Sequence, residues 1–403
     1  MLAGKHILVG ISGGIAAYKI PELIRQLRKQ GAEVRVTTTR HALEFVTDLT
    51  LRTLSGAPVY SDVFAAINAH ATEHISLPDW ADLMVVAPAT ANVLGKMAAG
   101  IADDALTTTF AAMRRPVVIA PAMNDKMYLN AATQRAIQTL STCPDILMMD
   151  CVAGELACGT TGKGRMAEPE QILEAVRYAL TPKTMAGKRV MLTAGPTQEP
   201  LDPVRYLSNY STGKMGYALA REAWRRGAEV TLISGPTQLT IPEVPTVSPL
   251  PGLKMLSVRS ADEMYEAAVQ HFPTSDIAVM CAAVADYTPQ EVSATKIKRT
   301  TQDLLLPLRA NKDIAAALGK TKRPEQTLVG FALETDHEEQ HALDKLARKH
   351  LDWLVLNSLR DPGAGFGTDT NQVTIFSAQG RKKECPLQSK EAIASAIWDT
   401  VSL

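Results

Sequence analysis

The sequence predicts an α/β protein of two domains, each built on a parallel sheet, and three observations predict it. The chain starts twice: Ala3-Gly-Lys-His-Ile-Leu-Val-Gly-Ile-Ser-Gly13 and Ala186-Gly-Lys-Arg-Val-Met-Leu-Thr-Ala-Gly-Pro196 share one plan, a small turn, a basic residue, an apolar run and a glycine. The echo continues downstream, where Arg25-Gln-Leu-Arg-Lys-Gln-Gly-Ala-Glu-Val34 is matched by Arg221-Glu-Ala-Trp-Arg-Arg-Gly-Ala-Glu-Val230. In each, a basic-ended helix stops at glycine and a β-branched run follows, which completes a βαβ unit. Finally, 403 residues are long for one core, and proline and glycine interrupt the periodicity at 181–187. The division falls between residues 1–186 and 187–403.

Composition narrows the functional classes. Apolar content of 46% supports ordinary globular packing, and 42 basic residues balance 42 acidic ones. No global field therefore steers the protein to nucleic acid or to a membrane surface. No apolar run approaches the ~20 residues that cross a bilayer, and the amino terminus lacks a signal pattern. Five cysteines (Cys143, Cys151, Cys158, Cys281 and Cys385) form no CxxC pair, and their odd number argues against a disulfide framework. A cytoplasmic protein with reduced thiols is expected.

The first half opens with a buried-strand run at 6–11. Ser12-Gly-Gly-Ile15 then leads into a helix over 16–30, which Pro21 must either kink or delay. Glycines between strand and helix let backbone N–H groups meet a phosphate, though a tight βα connection needs glycine without any ligand. Val34-Arg-Val-Thr-Thr-Thr39 ends in hydroxyls. Asp82-Leu-Met-Val-Val-Ala-Pro-Ala-Thr-Ala-Asn92 and Pro116-Val-Val-Ile-Ala-Pro-Ala-Met-Asn124 are apolar runs that break into small polar residues. All these polar groups fall at strand carboxyl ends, where parallel sheets place ligands. A mononucleotide-sized cofactor fits such a crevice.

Ser12-Gly-Gly-Ile-Ala-Ala-Tyr-Lys19, Ala87-Pro-Ala-Thr-Ala-Asn92, Pro121-Ala-Met-Asn124 and Ala157-Cys-Gly-Thr-Thr-Gly-Lys-Gly-Arg-Met166 resemble the signatures of the flavin-dependent cysteine decarboxylases. That resemblance implies a flavodoxin-like domain holding FMN at the interface of a trimer. It places Ser12, Gly13, Gly14, Ile15, Thr38, Thr39, Thr90, Asn92 and Ala122 at the cofactor. It makes His74 the essential histidine, Asn124 the holder of the substrate carboxylate region, and Cys158 a proton donor on a mobile flap. Gly154, Gly159, Gly162 and Gly164 would give that flap its freedom. Thr160 stands where the family usually has an acid. The implied chemistry is coherent: an alkyl carboxylate loses carbon dioxide only when an electron sink exists, which flavin oxidation of the CH₂–SH carbon provides.

In the second half a strand at 190–193 precedes a polar stretch, and Ser211-Thr-Gly-Lys214 opens a helix over 217–226. Met215 after Gly213-Lys214 rules out a P-loop. Asp276-Ile-Ala-Val-Met-Cys-Ala-Ala-Val-Ala-Asp-Tyr287 is a buried strand running into an acid. The basic cluster Lys296-Ile-Lys-Arg299 follows, then Asn311-Lys-Asp-Ile314 and a strand over 328–335. Lys345 and Lys349 stand i, i+4 on one helical face, suited either to solvent or to a triphosphate. His337-Glu-Glu-Gln-His341 fits the H-E-x-x-H zinc pattern, but its charged surroundings offer no third ligand, so no metal ligands are assigned. The proline-rich stretch 239–259 reads as a long irregular loop. A strand at 373–376 and a helix over 390–400 read as packing elements.

Ser208-Asn-Tyr-Ser-Thr-Gly-Lys-Met-Gly216, Ala282-Ala-Val-Ala-Asp-Tyr287, Lys296-Ile-Lys298 and Gly330-Phe-Ala-Leu-Glu-Thr335 resemble the phosphopantothenate–cysteine ligases, which implies a Rossmann-like domain. The resemblance implies activation of 4′-phosphopantothenate by CTP and Mg²⁺ as an acyl-cytidylate, which cysteine then attacks. Lys296 would stabilise charge in the first step and Asn209 would act in the second. Met280, Cys281, Ala282, Asp286, Lys296, Lys312, Asp313, Ile314, Ala315, Phe331, Lys345 and Lys349 would hold CTP. The two resemblances follow each other in the order of a bifunctional family of coenzyme A biosynthesis, with trimers of the first domain joined further through pairs of the second. A binding module without catalysis is disfavoured because His74 and Cys158 are both present. A nicotinamide-dependent reductase is disfavoured because neither βαβ opening carries G-x-G-x-x-G.

Overall fold

The computed structural model describes residues 2–64, 72–155, 159, 161–241, 243–299, 303–334, 337–358, 365 and 367–401. They fall into two compact units, Met1–Pro182 with Pro242–Leu250, and Lys183–Ile241 with Pro251–Leu403.

The first unit is built on six parallel strands: β1 (His6–Ile11), β2 (Glu33–Thr38), β3 (Val59–Tyr60), β4 (Leu83–Ala89), β5 (Val117–Pro121) and β6 (Ile146–Met148). Their order is β3-β2-β1-β4-β5-β6. β4 is buried at every position, which is why it reads as an unbroken apolar run rather than an alternating one. Alternate residues of β1 serve opposite faces. Ile7, Val9 and Ile11 join one core cluster, and Leu8 joins another with Met84 and Val86 of β4. The α/β class is as expected; in detail, the order 3-2-1-4-5-6 differs from the 2-1-3-4-5 of flavodoxin. Pro21 delays its helix instead of kinking it. A 3₁₀ turn spans Ile15–Lys19, and the α-helix Ile20–Lys29 begins with proline in its first turn, where no N–H is missed.

After β6 the chain forms an antiparallel hairpin of β7 (Val152–Glu155) and β8 (Thr161–Arg165). The remaining piece of this unit comes from the second half of the sequence. Residues 243–250 lie antiparallel along the free edge of β6, where Val247 donates its N–H to Met148 O at 2.9 Å and Met149 bridges Thr246. Val244 and Leu250 pack against the core.

The second unit repeats the order. β9 (Arg189–Ala194) is followed by a ribbon of β10 (Glu199–Pro200) and β11 (Tyr206–Leu207), then β12 (Glu229–Ser234), β13 (Leu253–Ser257) and β14 (Ile277–Met280). A second ribbon pairs β15 (Tyr287–Pro289) with β16 (Leu308–Ala310). β17 (Thr327–Glu334), β18 (Trp353–Ser358), β19 (Thr370–Ser377) and β20 (Lys382–Ser389) complete the sheet. The order is β13-β12-β9-β14-β17-β18-β19-β20, and only β19 runs against the others, antiparallel to both β18 and β20. Its first six strands follow the same 3-2-1-4-5-6 path as the first unit. The loop expected at 239–259 is thus corrected: part of it is β13 and part is the segment on β6. Among the described residues no helix is long and apolar enough to cross a membrane.

Candidate active sites

In each unit β1-type and β4-type strands sit side by side and their connections leave in opposite directions, which opens a crevice at the strand carboxyl ends. In the first unit this crevice is a cavity of about 660 Å³. Its wall gathers Gly13, Gly14, Ile15, Thr90, Ala122 and Asn124 from three separate stretches of sequence. Gly13 is required there, since a Cβ would lie 2.6 Å from His41 Cβ. Ser12, wholly buried, donates to Pro88 O at 2.6 Å and receives the Thr90 N–H at 3.1 Å, which locks the β1 turn to the β4 turn. Thr90 itself caps the helix Ala91–Ala99, and Asn92 stands exposed on the first turn.

Among the described residues, Ser12, Thr38, Thr39, Asn92 and His74 are not on the cavity wall. The threonines carry a different signal. The hydroxyls of Thr37, Thr38 and Thr39 are buried and have no hydrogen-bond partner. A buried orphan hydroxyl costs about 1–3 kcal/mol, and Thr37 and Thr38, successive residues of β2, face opposite sides of the sheet. Sequence reasoning quoted all three hydroxyls but assigned only Thr38 and Thr39 to the cofactor. His74 is half-buried in the helix Glu73–Trp80. Cys158 and Thr160 lie outside the described residues.

The sequence reading also passed over charged groups on the wall. Lys19 donates to both carboxylate oxygens of Glu168 at 2.7 Å, and Arg165 reaches the same carboxylate at 3.0 Å. Both basic residues lie inside the quoted motifs, so their position was the available signal. Asn124 caps the short helix Asp125–Tyr128 by accepting the Lys126 N–H at 2.9 Å. Against this loop lies β8, where Met123 N donates to Gly164 O at 3.0 Å. The glycines expected to free a flap act differently. Only Gly159 has a left-handed backbone (φ +80°), whereas a Cβ at Gly162 or Gly164 would strike Asp125 or the Met123 carbonyl. They permit close approach.

The second crevice, about 460 Å³, is lined from β14, β17 and the following turns. It gathers Met280, Ala282, Asp286, Phe331 and the run Lys312, Asp313, Ile314 and Ala315, together with Lys345 and Lys349. Asp313 caps the helix Ile314–Thr321 and pairs with Lys349 at 2.8 Å. Burial alone would raise the Asp313 carboxyl, but Lys349, the Ala316 N–H and the charge of Lys345 overcome it and hold it below its usual value. Lys312 pairs with Asp262 at 3.1 Å and lies over the Tyr265 ring. Three lysines therefore face one crevice, and Lys312 and Lys349 are paired there with Asp262 and Asp313.

Cys281, Lys296 and Asn209 are not among the described residues of that wall. Burial pushes the Cys281 thiol up to about 12, so it is a neutral packing group. Asn209 donates to Ala283 O at 2.5 Å and accepts the Ser211 N–H at 3.0 Å, which places it at the turn beside β14. Lys296 is exposed on the irregular stretch between β15 and β16. His337 is a left-handed cap (φ 42°) preceding the helix Glu338–Arg348, with its ring edge-on to His341 at 6.0 Å. Among the described residues no three His, Cys, Asp or Glu side chains gather as a metal site.

Known proteins match each unit and then the whole chain. Residues 1–181 fit the flavoprotein family, and residues 185–403 fit the DNA/pantothenate metabolism flavoprotein C-terminal domain. The coenzyme A biosynthesis bifunctional protein CoaBC of Vibrio cholerae is 45% identical over 402 residues, covering 99% of this chain and 98% of that protein. Its namesake from Bacillus subtilis is 46% identical over 406 residues, covering 100% and 98%. A cysteine/cysteine sulfinic acid decarboxylase from an unknown prokaryotic organism is 48% identical over 357 residues, 87% of this chain and 97% of that one. Matched from end to end in this way, the chain belongs to the family of bifunctional coenzyme A biosynthesis proteins, enzymes that carry a decarboxylase and a ligase on one polypeptide.

Proposed function

We propose that the second unit joins cysteine to 4′-phosphopantothenate with CTP and that the first decarboxylates the product to 4′-phosphopantetheine with FMN. The observation that carries this division is the contrast between two crevices at equivalent places on like-ordered sheets. One has a glycine turn beside orphaned hydroxyls, and the other faces three lysines.

FMN fits the first crevice, whose glycine turn accepts a phosphate, with the Thr38 and Thr39 hydroxyls off the described wall at the end of the neighbouring strand β2. When bound, it supplies the electron sink for loss of carbon dioxide. Asn124, held by its own capping bond, orients the substrate carboxylate, and Cys158 and His74 serve the proton transfers. Ile15 and Tyr18 on the wall are 58% and 62% exposed. A rim this apolar favours a neighbouring subunit over the crevice, and a trimer would supply one. If Thr38 and Thr39 are flavin ligands, replacing either by valine should leave flavin-free protein as stable or about 1 kcal/mol more stable, while flavin retention drops. Thermal melting and visible absorbance of the purified variants measure both.

In the ligase, Lys312, Lys345 and Lys349 neutralise the triphosphate as it approaches a carboxylate. Mg²⁺ would arrive on the nucleotide phosphates, keeping most of its waters. The exposed Tyr206, Tyr287, Val292 and Leu305 near the two ribbons favour pairing of ligase units. A cytoplasmic site of action follows from these soluble substrates.

The test is to incubate the protein with 4′-phosphopantothenate, cysteine, Mg²⁺ and either CTP or ATP and to follow products by mass. Formation of 4′-phosphopantetheine with CTP is expected. No turnover with either nucleotide in FMN-loaded protein would overturn the ligase reading. Release of carbon dioxide from cysteine sulfinate without nucleotide would favour the activity named for the 48% identical relative.

A further inference from the structure

We infer that residues 243–250, drawn from the second half of the sequence, are a positioning element for decarboxylation that fixes the base of the β7–β8 hairpin. The inference rests on the decarboxylase reading of the first unit. β6 ends its sheet, and this segment covers the edge with matched hydrogen bonds rather than by contact alone. Met148 N donates to Ser248 Oγ at 3.0 Å, Met148 O accepts the Val247 N–H at 2.9 Å, and Asp150 N donates to Pro245 O at 2.9 Å.

The last of these bonds matters most, because Asp150 is the joint between sheet and hairpin. Its backbone is held by the segment while its carboxylate is held from the other side. Tyr128 Oη donates to Asp150 Oδ1 at 2.5 Å, and Lys163 Nζ on β8 donates to Oδ2 at 2.6 Å. Lys163 also lies over the Tyr128 ring. Burial, reinforced by the Asp150 charge, pushes the Tyr128 phenol well above its usual value, so it remains a donor throughout the physiological range. Tyr128 ends the helix capped by Asn124, and β8 grips the Met123 backbone through Gly164. A continuous set of contacts thus runs from the segment through Asp150 to Lys163, Tyr128 and Asn124.

The experiment uses full-length, FMN-loaded protein carrying Val247→Pro, which removes the N–H that meets Met148, and separately the milder Ser248→Ala. Hydrogen exchange at 150–155 and 161–165 is read alongside decarboxylation of synthetic 4′-phosphopantothenoylcysteine and the rate of ligation. The expected result is faster exchange in the hairpin and a roughly ten- to hundredfold lower kcat/KM for decarboxylation, with flavin content and ligation as in the parent. Ser248→Ala should move the same quantities less, and it decides the matter if the proline variant does not fold. Exchange that rises at 146–148 but not in the hairpin, or activity lost only in proportion to flavin, would overturn the inference. A parent protein that fails to decarboxylate the synthetic substrate would sink the functional reading instead, leaving the exchange result to decide the structural one.

Discussion

Replacing Lys296 with glutamine is expected to lower acyl-cytidylate formation by roughly 10²–10³-fold with a much smaller effect on CTP binding, since Lys296, expected from the resemblance to hold CTP, lies off the described crevice wall. The structure separates this lysine from the others. Lys312 and Lys349 sit on the crevice wall beside Asp262 and Asp313, so part of their charge is already answered in the free protein. Lys296 is exposed, but its support is fixed: Ile297 N donates to Asp202 Oδ2 at 3.1 Å, and Ile297 O accepts from Arg205 at 2.7 Å. A pinned backbone with a free side chain suits a cation that acts when charge develops. Arg205, helped by three backbone N–H groups, holds the Asp202 carboxyl far below the usual range. Its contribution is present above about pH 4 and is lost only as pH falls through that depressed value, so the anchor holds across working pH. Pyrophosphate release under single-turnover conditions reads the chemical step, and Lys312→Gln should instead raise the KM for CTP. Parental pyrophosphate release from the Lys296 variant would remove this residue from the mechanism.

Gly164→Ala is expected to reduce decarboxylation at least a hundredfold. The new methyl would stand 2.2 Å from the Met123 carbonyl oxygen and 3.3 Å from the Asn124 carbonyl carbon, and backbone cannot swing aside as a long side chain can. β8 must lift from the loop that presents Asn124, breaking the Met123–Gly164 bond. Overpacking of this kind costs about 1–3 kcal/mol, so the protein should still fold and keep its flavin. Gly95→Ala is the matched control: it lies inside the helix Ala91–Ala99 with nothing within 4 Å of the added methyl, and should gain up to about 1 kcal/mol with activity intact. Steady-state kinetics with melting curves for both variants test the contrast. Equal activity in the two would mean that the hairpin need not touch this loop.

The sheets were legible because parallel strands buried on both faces leave unbroken apolar runs between glycine turns, as at β1, β4 and β9. Elements that miss this pattern escaped. β20 opens with three consecutive exposed charged residues, buries only Cys385 and includes Pro386, which an edge strand tolerates. β13 exposes Lys254 and Met255. The crevice-lining glycines and lysines could be named from motifs, but not the pairing of Lys19 with Glu168 or of Lys163 with Asp150. Nothing in local sequence distinguishes a lysine on a solvated face from one held by an acid far along the chain. The segment on β6 was the least legible, since Pro242, Pro245, Pro249 and Pro251 spell a loop and its partner strand lies some hundred residues away.

That segment also sets a schedule for synthesis. The first unit would otherwise be whole once Pro182 clears the ribosome, yet Leu250 belongs to it. At translation rates of about 5–20 residues per second, the roughly seventy further residues delay completion by about 4–14 s. For that interval β6 is an open strand edge on a nascent chain, able to pair with any similar edge nearby. Slow codons or a stall between these two points would lengthen the exposure.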